Sequence, residues 1–321
     1  MSIIKATKSQ EAFLRYKGDF INRAFQIKGV PRVFRLENNH TKRIQRYQQV
    51  MIGELLQIVG NDDLFDKEGF FVADDFDINM LKCGPRLYKY LDEAAAKVNI
   101  EKGTIRFKEP SGWEDDFEKL YYHADYSKMI PADIEKYTPR LNACCFTYQP
   151  ETNAAWKMYR NNWKETRGRV VCFEINEKKL LLELSNYAEK EDCTIFQGYI
   201  DYRIEADDIR ELYKKESKYH RIYFEDFSLV NYLSLMLLKR KAFSYEQETR
   251  FFVIPKSNCV KDHIDIPISL KNVVNRIILS PNYSKEKADL FKENCKDYGL
   301  DCEIVISELK QKCRKKTIIE P

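Results

Sequence analysis

The chain has 321 residues, of which 44% are hydrophobic and 13% are aromatic. This composition predicts a large apolar core that folds without crosslinks or metal, as one domain or as one domain with a smaller accessory part. The 54 basic and 50 acidic side chains leave a formal net charge of +4, which excludes an overall field that draws the protein to nucleic acid or to an anionic membrane.

The nine cysteines form no CxxC pair, and several lie in apolar, strand-like runs such as residues 170–173. An odd set of this kind is typical of reduced thiols and not of a disulfide framework. The sequence also shows no signal peptide and no apolar run long enough to cross a membrane. We therefore expect a cytoplasmic protein with no membrane partner.

Two amphipathic helices are predicted near the start of the chain. The first follows a capping pattern at Thr7 and Gln10 and ends at Gly29, and the second carries apolar residues at helical spacing from Ile44 to Ile58. Together they predict a helical hairpin, so residues 1–84 are interpreted as an N-terminal helical appendage.

From about residue 85, short strands alternate with helices. Strands are predicted at 87–90, 104–107, 142–147, 170–175, 195–202, 250–254, 264–268, 273–279 and 303–307. Helices are predicted at 92–99, 153–163, 178–190, 206–217, 226–240 and 285–298. Because no low-complexity or Pro/Gly-rich linker divides this part, we expect one α+β domain over residues 85–308, followed by a basic tail at 309–321.

Two carboxylates, Glu246 and Glu248, lie two residues apart where the predicted basic helix end meets an apolar strand. If both lay on the strand, they would point to the same face of the sheet. Such a pair can stabilise a cationic transition state. The alternative is a solvated strand face, paired with Arg250 or with a neighbouring strand.

Aromatic residues mark a second candidate region. Trp156, Tyr159 and Trp163 fall on one face of a predicted helix that follows the strand ending at Thr147. Core packing is the interpretation for Trp163. Trp156 and Tyr159, near the helix start, can instead wall a pocket for a flat ring such as nicotinamide or a nucleobase.

Motifs of several common enzyme classes are absent from the sequence. The four histidines are scattered without zinc-ligand spacing, and no Walker loop, GxGxxG or GxSxG pattern occurs. Asp115, Asp116 and Glu118 follow a turn and can supply oxygen ligands for a metal, as in a metal-dependent nuclease. Capping of the next helix is the stronger interpretation of these acids.

The motifs in their order carry a family resemblance. Residues 87–90, 103–107, 113–118, 145–159, 168–173 and 245–250 together resemble the bacterial domain of unknown function 2971. That family is in turn similar to the ADP-ribosyltransferase superfamily. The resemblance covers about residues 85–308 and implies a split mixed sheet with flanking helices, next to the N-terminal helical hairpin.

The resemblance also implies roles for single residues. Glu248 would be the catalytic carboxylate and Glu246 would face the acceptor. Lys89, which stands where Arg or His is usual, would contact NAD together with Tyr90. The remaining predicted cofactor contacts are Thr147, Trp156, Tyr159 and Arg250.

Two functions from different classes follow from these patterns. The first is an ADP-ribosyltransferase that consumes NAD as a co-substrate, and that acts as a bacterial toxin or phage-defence effector on a protein or nucleic acid. The second is a non-catalytic module that binds a nucleotide or a nucleic-acid end, supported by the basic clusters at 239–241 and 310–316.

Overall fold

The fold is known from a computed structural model. It describes residues 86–113, 115–125, 138–159, 168–204, 229–256 and 262–309, together with three short strands at 33–36, 43–45 and 71–72. The strands are β1 Val33–Leu36, β2 Arg43–Gln45, β3 Phe71–Val72, β4 Arg86–Asp92, β5 Thr104–Lys108, β6 Asn142–Thr147, β7 Val170–Asn176, β8 Cys193–Tyr199, β9 Asp201–Ile204, β10 Leu238–Arg240, β11 Glu248–Pro255, β12 His263–Pro267, β13 Val274–Leu279 and β14 Glu303–Ile306.

The helices are α1 Glu93–Lys102, α2 Asp116–His123, α3 Asn153–Met158, α4 Glu177–Lys190, α5 Leu229–Leu235, α6 Leu270–Val273 and α7 Lys285–Asp297. Two 3-10 segments, Pro110–Gly112 and Lys241–Glu246, lie between them. Local chemistry explains the ends of α1. The Asp92 side chain accepts the Ala95 N–H at 2.9 Å, and Gly103, at φ 60°, adopts the left-handed conformation that ends the helix.

Twelve of the described strands form one sheet. Its main path runs β14-β13-β7-β4-β6-β11-β8-β1-β2-β3, while β5 pairs with both β12 and β6. All these pairs are antiparallel except β13 with β14. β9 and β10 form a separate parallel pair. The predicted α+β class with a mixed sheet is therefore confirmed.

The sheet opens beside β6. β4 contacts the end of β6 at the pair Tyr88–Thr147, and β5 contacts its start at the pair Lys108–Ala143. Within the described residues, β6 has no strand beside it on this side between those two points. The gap leaves room for a cleft that passes between β4, β5 and β6.

The strand β11 separates two packed layers. Phe251 and Val253 point into the larger apolar cluster, whereas Phe252 points into a second cluster on the opposite face. Since side chains alternate along a strand, Glu248 and Arg250 share the face of Phe252. Glu248 and Arg250 thus lie on the face of the sheet that carries the second apolar cluster. Arg250 is buried there, with only 1% of its surface exposed.

The predicted N-terminal hairpin lies largely outside the described residues. Ile44 is an exception, because it belongs to β2 and pairs with Val72 of β3. The helix prediction is wrong at that position, since cross-strand pairing satisfies its backbone there. The division into 1–84, 85–308 and 309–321 stays a prediction.

Candidate functional site

The segment from Lys239 to Glu248 differs from its prediction. The chain forms the short strand β10 up to Arg240 and then a 3-10 segment that ends at Glu246. Gln247 follows with φ 42°, and β11 begins at Glu248. The predicted helix end at residue 240 and the predicted strand position of Glu246 are therefore both wrong. The left-handed Gln247 turns the chain between the two carboxylates.

The two carboxylates nevertheless meet at one cation. The Nζ of Lys239 lies 2.5 Å from Glu246 Oε2, 3.2 Å from Glu248 Oε2 and 3.0 Å from Glu118 Oε1. These side chains are buried, with 7–12% of each exposed. One ammonium group thus joins three acids from α2, the 3-10 segment and β11.

Arg250 holds Glu248 from the interior side. Its Nε and Nη2 donate to the two oxygens of Glu248 at 2.9 and 3.2 Å. Its Nη2 also lies 3.0 Å from Glu118 Oε2, and its Nη1 donates to the Met236 carbonyl at 2.6 Å. The Arg250 guanidinium is thereby fixed in place, and its fork geometry orients the Glu248 carboxylate.

The two acids of the pair have pKa values that are shifted in opposite directions. Burial by itself raises the pKa of Glu248, but the charges of Arg250 and Lys239 overcome it and lower the pKa to about 2. Burial raises the pKa of Glu246 against the opposing charge of Lys239. Glu248 is therefore ionised at neutral pH, while Glu246 takes up a proton more readily than an ordinary glutamate.

Thr147 lies directly across the sheet from Glu248, because β6 and β11 pair these two residues. Its hydroxyl donates to the Glu246 carbonyl and accepts the Gln149 N–H at 2.9 Å. Thr147 thus ties the loop after β6 to the turn before β11. Thr147 therefore lies close to both acids, whereas its predicted contact with the cofactor stays a prediction.

A small cleft opens at this point. It encloses about 350 Å³, including space open to solvent, of which about 20 Å³ is accessible to a water-sized group, and its lining carries two acids and no basic side chain. The lining residues are Phe146, Thr147, Gln149, Thr152, Ala155, Met158, Tyr159, Tyr245, Glu246 and Glu248.

A large cleft occupies the gap beside β6. It encloses about 1430 Å³, including space open to solvent, and its charged lining consists of Lys89, Arg106, Lys108 and Asp92. Lys89 donates to the Cys145 carbonyl at 2.9 Å and so bridges the gap from β4 to β6. The large cleft is therefore mainly basic, in contrast to the small one.

Aromatic side chains join the two clefts. Tyr159 lines both of them, as does Met158. The Tyr159 ring stacks on Tyr90 with centroids 5.4 Å apart, and Trp156 meets Tyr90 edge-on at 5.0 Å. Tyr90 lines the large cleft. Trp156 is 6% exposed and lines neither cleft, while Trp163 lies outside the described residues.

The predicted site residues thus fall into four groups. Glu246, Glu248 and Thr147 line the small cleft, and Lys89 and Tyr90 line the large cleft. Tyr159 belongs to both. Trp156 and Arg250 lie behind the walls and line neither.

Three residues that contact the site were not predicted as site residues: Lys239, Glu118 and Trp113. Lys239 was assigned to a basic cluster and Glu118 to a helix start, and no local pattern indicates that they meet. Trp113 stacks on the Arg250 guanidinium, whose Cζ lies 4.1 Å from the ring centroid.

Two of the three acids after the turn at Pro110–Gly112 have structural partners. Asp115 accepts the Phe117 N–H at 2.9 Å and so caps α2, which confirms the capping interpretation. It also lies 3.3 Å from Arg240. Since Glu118 is held by Lys239 and Arg250, two of the three ligands that the nuclease hypothesis proposed are engaged in other contacts. The basic run at 310–316 lies outside the described residues.

Within the described part of the chain, none of the helices combines the length and the apolar character needed to cross a bilayer.

Comparison with known proteins gives one remote likeness. No protein-family model matches the chain, and no curated protein matches it. The structure has a remote likeness to DarT from Thermus sp. 2.9 in complex with ADP-ribosylated ssDNA, with 7% sequence identity and a TM-score of 0.32, over 70% of this chain and 94% of that chain. A TM-score below 0.5 does not establish a common fold, so a functional proposal rests on the geometry of the site. The resemblance to domain of unknown function 2971 stays a prediction.

Proposed function

We propose that the protein is an ADP-ribosyltransferase that consumes NAD, built on a split sheet of the ADP-ribosyltransferase type. The observation that carries this proposal is the position of Glu248, a buried and ionised carboxylate on the wall of a small acidic cleft that adjoins a larger basic one. The proposal is about the chemistry of this site.

Glu248 has the charge that the reaction requires. When the bond between ribose C1′ and nicotinamide breaks, nicotinamide leaves with the bonding electrons and positive charge develops on the sugar ring. A fixed carboxylate stabilises this charge more in the transition state than in the ground state. The pKa of about 2 keeps Glu248 ionised over the whole physiological range.

Glu246 fits the second half of the reaction. The acceptor nucleophile forms a bond to C1′ and loses a proton in the process. Burial raises the pKa of Glu246, so its carboxylate is the better proton acceptor of the pair. Glu246 also lies on the outer side of the small cleft, at the end of the 3-10 segment next to the exposed Tyr245.

The charges of the two clefts match the two ends of NAD. The nicotinamide ring is cationic and matches the charge of the small cleft, whose charged residues are Glu246 and Glu248, but the cleft must widen to admit the ring. The pyrophosphate is anionic and suits the large cleft, whose wall carries Lys89 and Lys108 together with Arg106, which is paired with Asp265. About 520 Å³ of the large cleft is accessible to a water-sized group, which falls within the usual range of about 300–1,000 Å³ for small-molecule sites, so space does not limit the fit.

One contact must change when substrate binds. Both oxygens of Glu248 already accept hydrogen bonds, from Arg250 and from Lys239. A ribose hydroxyl can take the place of Lys239, whose 3.2 Å contact with Glu248 is longer than its 2.5 Å contact with Glu246. Arg250 would then remain as the fixed partner of the carboxylate.

The contact between Lys239 and Glu248 favours a second candidate function. If Lys239 stays in place, Glu248 has a structural role, and the clefts belong to a non-catalytic module that binds a nucleotide or a nucleic-acid end. The basic and aromatic lining of the large cleft suits such a ligand equally well.

The acceptor in this proposal is a protein or a nucleic acid. DarT, the remote structural neighbour, was captured with ADP-ribosylated ssDNA. We propose that the protein acts in the bacterial cytoplasm as a toxin or phage-defence effector. Loss of viability on expression of the wild type, abolished by Glu248→Gln, would support this part.

Release of nicotinamide from NAD tests the enzymatic proposal. The purified protein is incubated with NAD and cell extract as a source of acceptor, and free nicotinamide is quantified. Glu248→Gln is expected to lower the rate about 100-fold, on the order of 3 kcal/mol of transition-state stabilisation. Glu293→Gln, a change of an exposed glutamate on α7, serves as the matched control and keeps the wild-type rate.

Two outcomes would contradict the enzymatic proposal. One is that the wild type releases no nicotinamide under any condition with extract present. The other is that Glu248→Gln retains the full rate. Saturable binding of NAD in calorimetry, with NAD recovered unchanged afterwards, would favour the binding module.

A further inference from the structure

A buried arginine connects the walls of the two clefts. Trp113 lines the large cleft, and Glu248 lines the small one. Arg250 lies between them, with its guanidinium 4.1 Å from the Trp113 ring centroid and with two hydrogen bonds to the Glu248 carboxylate. The path from one cleft to the other thus consists of a cation–π contact and a bidentate ion pair.

We propose that Trp113 and Arg250 couple the two clefts. In this proposal Arg250 is a positioning residue that orients Glu248, and Trp113 fixes the guanidinium of Arg250 from the large-cleft side.

The guanidinium has little freedom of its own. Arg250 is 1% exposed, and its remaining contacts are Glu118 Oε2 at 3.0 Å and the Met236 carbonyl at 2.6 Å. Because almost no solvent surrounds Arg250, a displacement of the Trp113 ring must change one of these contacts or the ion pair with Glu248. Close-packed interiors transmit such shifts.

Coupling of this kind acts in both directions. If the position of Trp113 changes the ionisation of Glu248, then the ionisation of Glu248 changes the environment of Trp113 by the same free energy. A ligand that contacts Trp113 in the large cleft would accordingly change the ionisation of Glu248. Neither statement depends on whether the protein turns over NAD.

Several charged or titratable groups face Glu248 and must be considered in any titration. Beside Arg250, they are Lys239 of β10, Glu246 of the 3-10 segment, Glu118 of α2, Lys89 of β4, Cys144 and Cys145 of β6, Tyr159 after α3 and Tyr202 of β9, whose hydroxyl accepts the Glu248 N–H. All of these are retained in the variants below. A change in the Glu248 titration then reports on Arg250 and Trp113.

The first experiment follows the Glu248 carboxyl by NMR in protein labelled with ¹³C at the glutamate side-chain carbonyl, assigned with Glu248→Gln. Arg250→Lys removes the bidentate pair and is expected to raise the pKa of Glu248 by about one unit or more. Trp113→Leu removes the ring that holds Arg250 and is expected to raise the same pKa by a smaller amount. Trp113→Phe, which keeps an aromatic ring, should shift it less than Trp113→Leu.

Two matched controls come from a similar contact nearby. Arg240 also lies over an aromatic ring, that of Phe117 at 4.6 Å, but its carboxylate partner is Asp115. Arg240→Lys and Phe117→Leu are expected to leave the pKa of Glu248 unchanged. An unchanged pKa in a folded Trp113→Leu variant would overturn the coupling, and this variant decides the question even if Arg250→Lys fails to fold.

The second experiment measures the reverse direction. In ¹⁵N-labelled protein, Glu248→Gln is expected to shift the indole N–H signal of Trp113, assigned with Trp113→Phe. The signal of Trp156, which packs on Tyr90, is the internal control and should stay in place. If Trp113 does not respond while the protein remains folded, the proposal is wrong. Neither experiment uses NAD, so failure of the coupling and failure of the enzymatic proposal are distinguishable.

Discussion

Two glutamates, Glu174 and Glu248, are both buried and both paired with two cations, and yet they differ in what they border. Glu174 in β7 is 3% exposed and lies 3.1 Å from Arg86 and 2.7 Å from Arg276. Glu248 in β11 is 8% exposed and is likewise held by two cations. Burial and ion pairing therefore do not distinguish the two positions.

The partners and the surroundings do distinguish them. The side chains of Arg86 and Arg276 are 61% and 34% exposed, so water solvates the cations of Glu174. Lys239 and Arg250 are only 10% and 1% exposed, and Glu248 borders the small cleft. A carboxylate fixed by buried cations at a cleft is the arrangement that can act on a ligand.

The largest expected effect is on the free energy of unfolding, when one cation is removed from the Glu248 cluster and, for comparison, one from the Glu174 cluster. Lys239→Met leaves Glu118, Glu246 and Glu248 with Arg250 alone, and we expect a loss of about 3–5 kcal/mol in the free energy of unfolding. Arg86→Met removes a solvated partner and should cost less than about 1 kcal/mol. Urea unfolding at pH 7 measures both. Equal costs would show that the two clusters are equivalent.

Low pH should reduce the contribution of Glu248 to the free energy of unfolding, over a pH range that its pKa defines. Because the folded-state pKa of Glu248 is about 2, below its ordinary 4.5, its stabilising effect is complete above about pH 4.5 and is lost as the pH falls toward 2. The contribution of Glu248 to the free energy of unfolding that is lost in this way amounts to roughly 3 kcal/mol. The pKa of Glu246 is raised, so this residue has the opposite effect and stabilises the folded protein as the pH falls.

The test compares the unfolding free energies of the wild type and Glu248→Gln from pH 7 to pH 2. We expect the gap between the two proteins to narrow below pH 4.5, whereas Glu293→Gln should follow the wild type throughout. A gap that stays constant with pH would show that the folded protein does not stabilise the Glu248 carboxylate.

A change at Glu174 separates stability from function. Glu174→Gln is expected to lower the unfolding free energy by about 1–2 kcal/mol, because the two arginines that it leaves unpaired are partly solvated. The rate of nicotinamide release should remain within about twofold of the wild type, a change too small to reflect a lost transition-state contact. A loss comparable to that of Glu248→Gln would remove the distinction between the two glutamates.

The smallest effect concerns the large cleft. Lys89→Met removes a cation from its wall and should weaken NAD binding about tenfold, or 1.4 kcal/mol. Lys190→Met, at the exposed end of α4, is the control and should bind as the wild type does. Calorimetry measures both affinities, and equal affinities would place the pyrophosphate away from Lys89.

Local patterns predicted many of the elements. The apolar run at 142–147 was predicted with the bounds that β6 has, and the helix predicted at 92–99 overlaps α1. The order of the strands was beyond reach, because pairs such as Val33 with Gly198 join residues far apart in the chain. Such pairings depend on tertiary packing and leave no local signal.

The candidate site was predictable only in part. The pattern of Glu246 and Glu248 identified the acids, but it placed both on a strand, since no glycine marks the left-handed turn at Gln247. The meeting of Lys239 with Glu118 depends on contacts between β10 and α2. These contacts turn two separate charged segments into one buried cluster.

A structure of Glu248→Gln with NAD would show where the substrate lies, because we expect this variant to bind NAD without consuming it. The account predicts the nicotinamide end in the small cleft, a ribose hydroxyl about 3 Å from the side chain at position 248, and the pyrophosphate beside Lys89. Dinucleotide bound outside both clefts, with Lys239 still in contact with the side chain at 248, would contradict it.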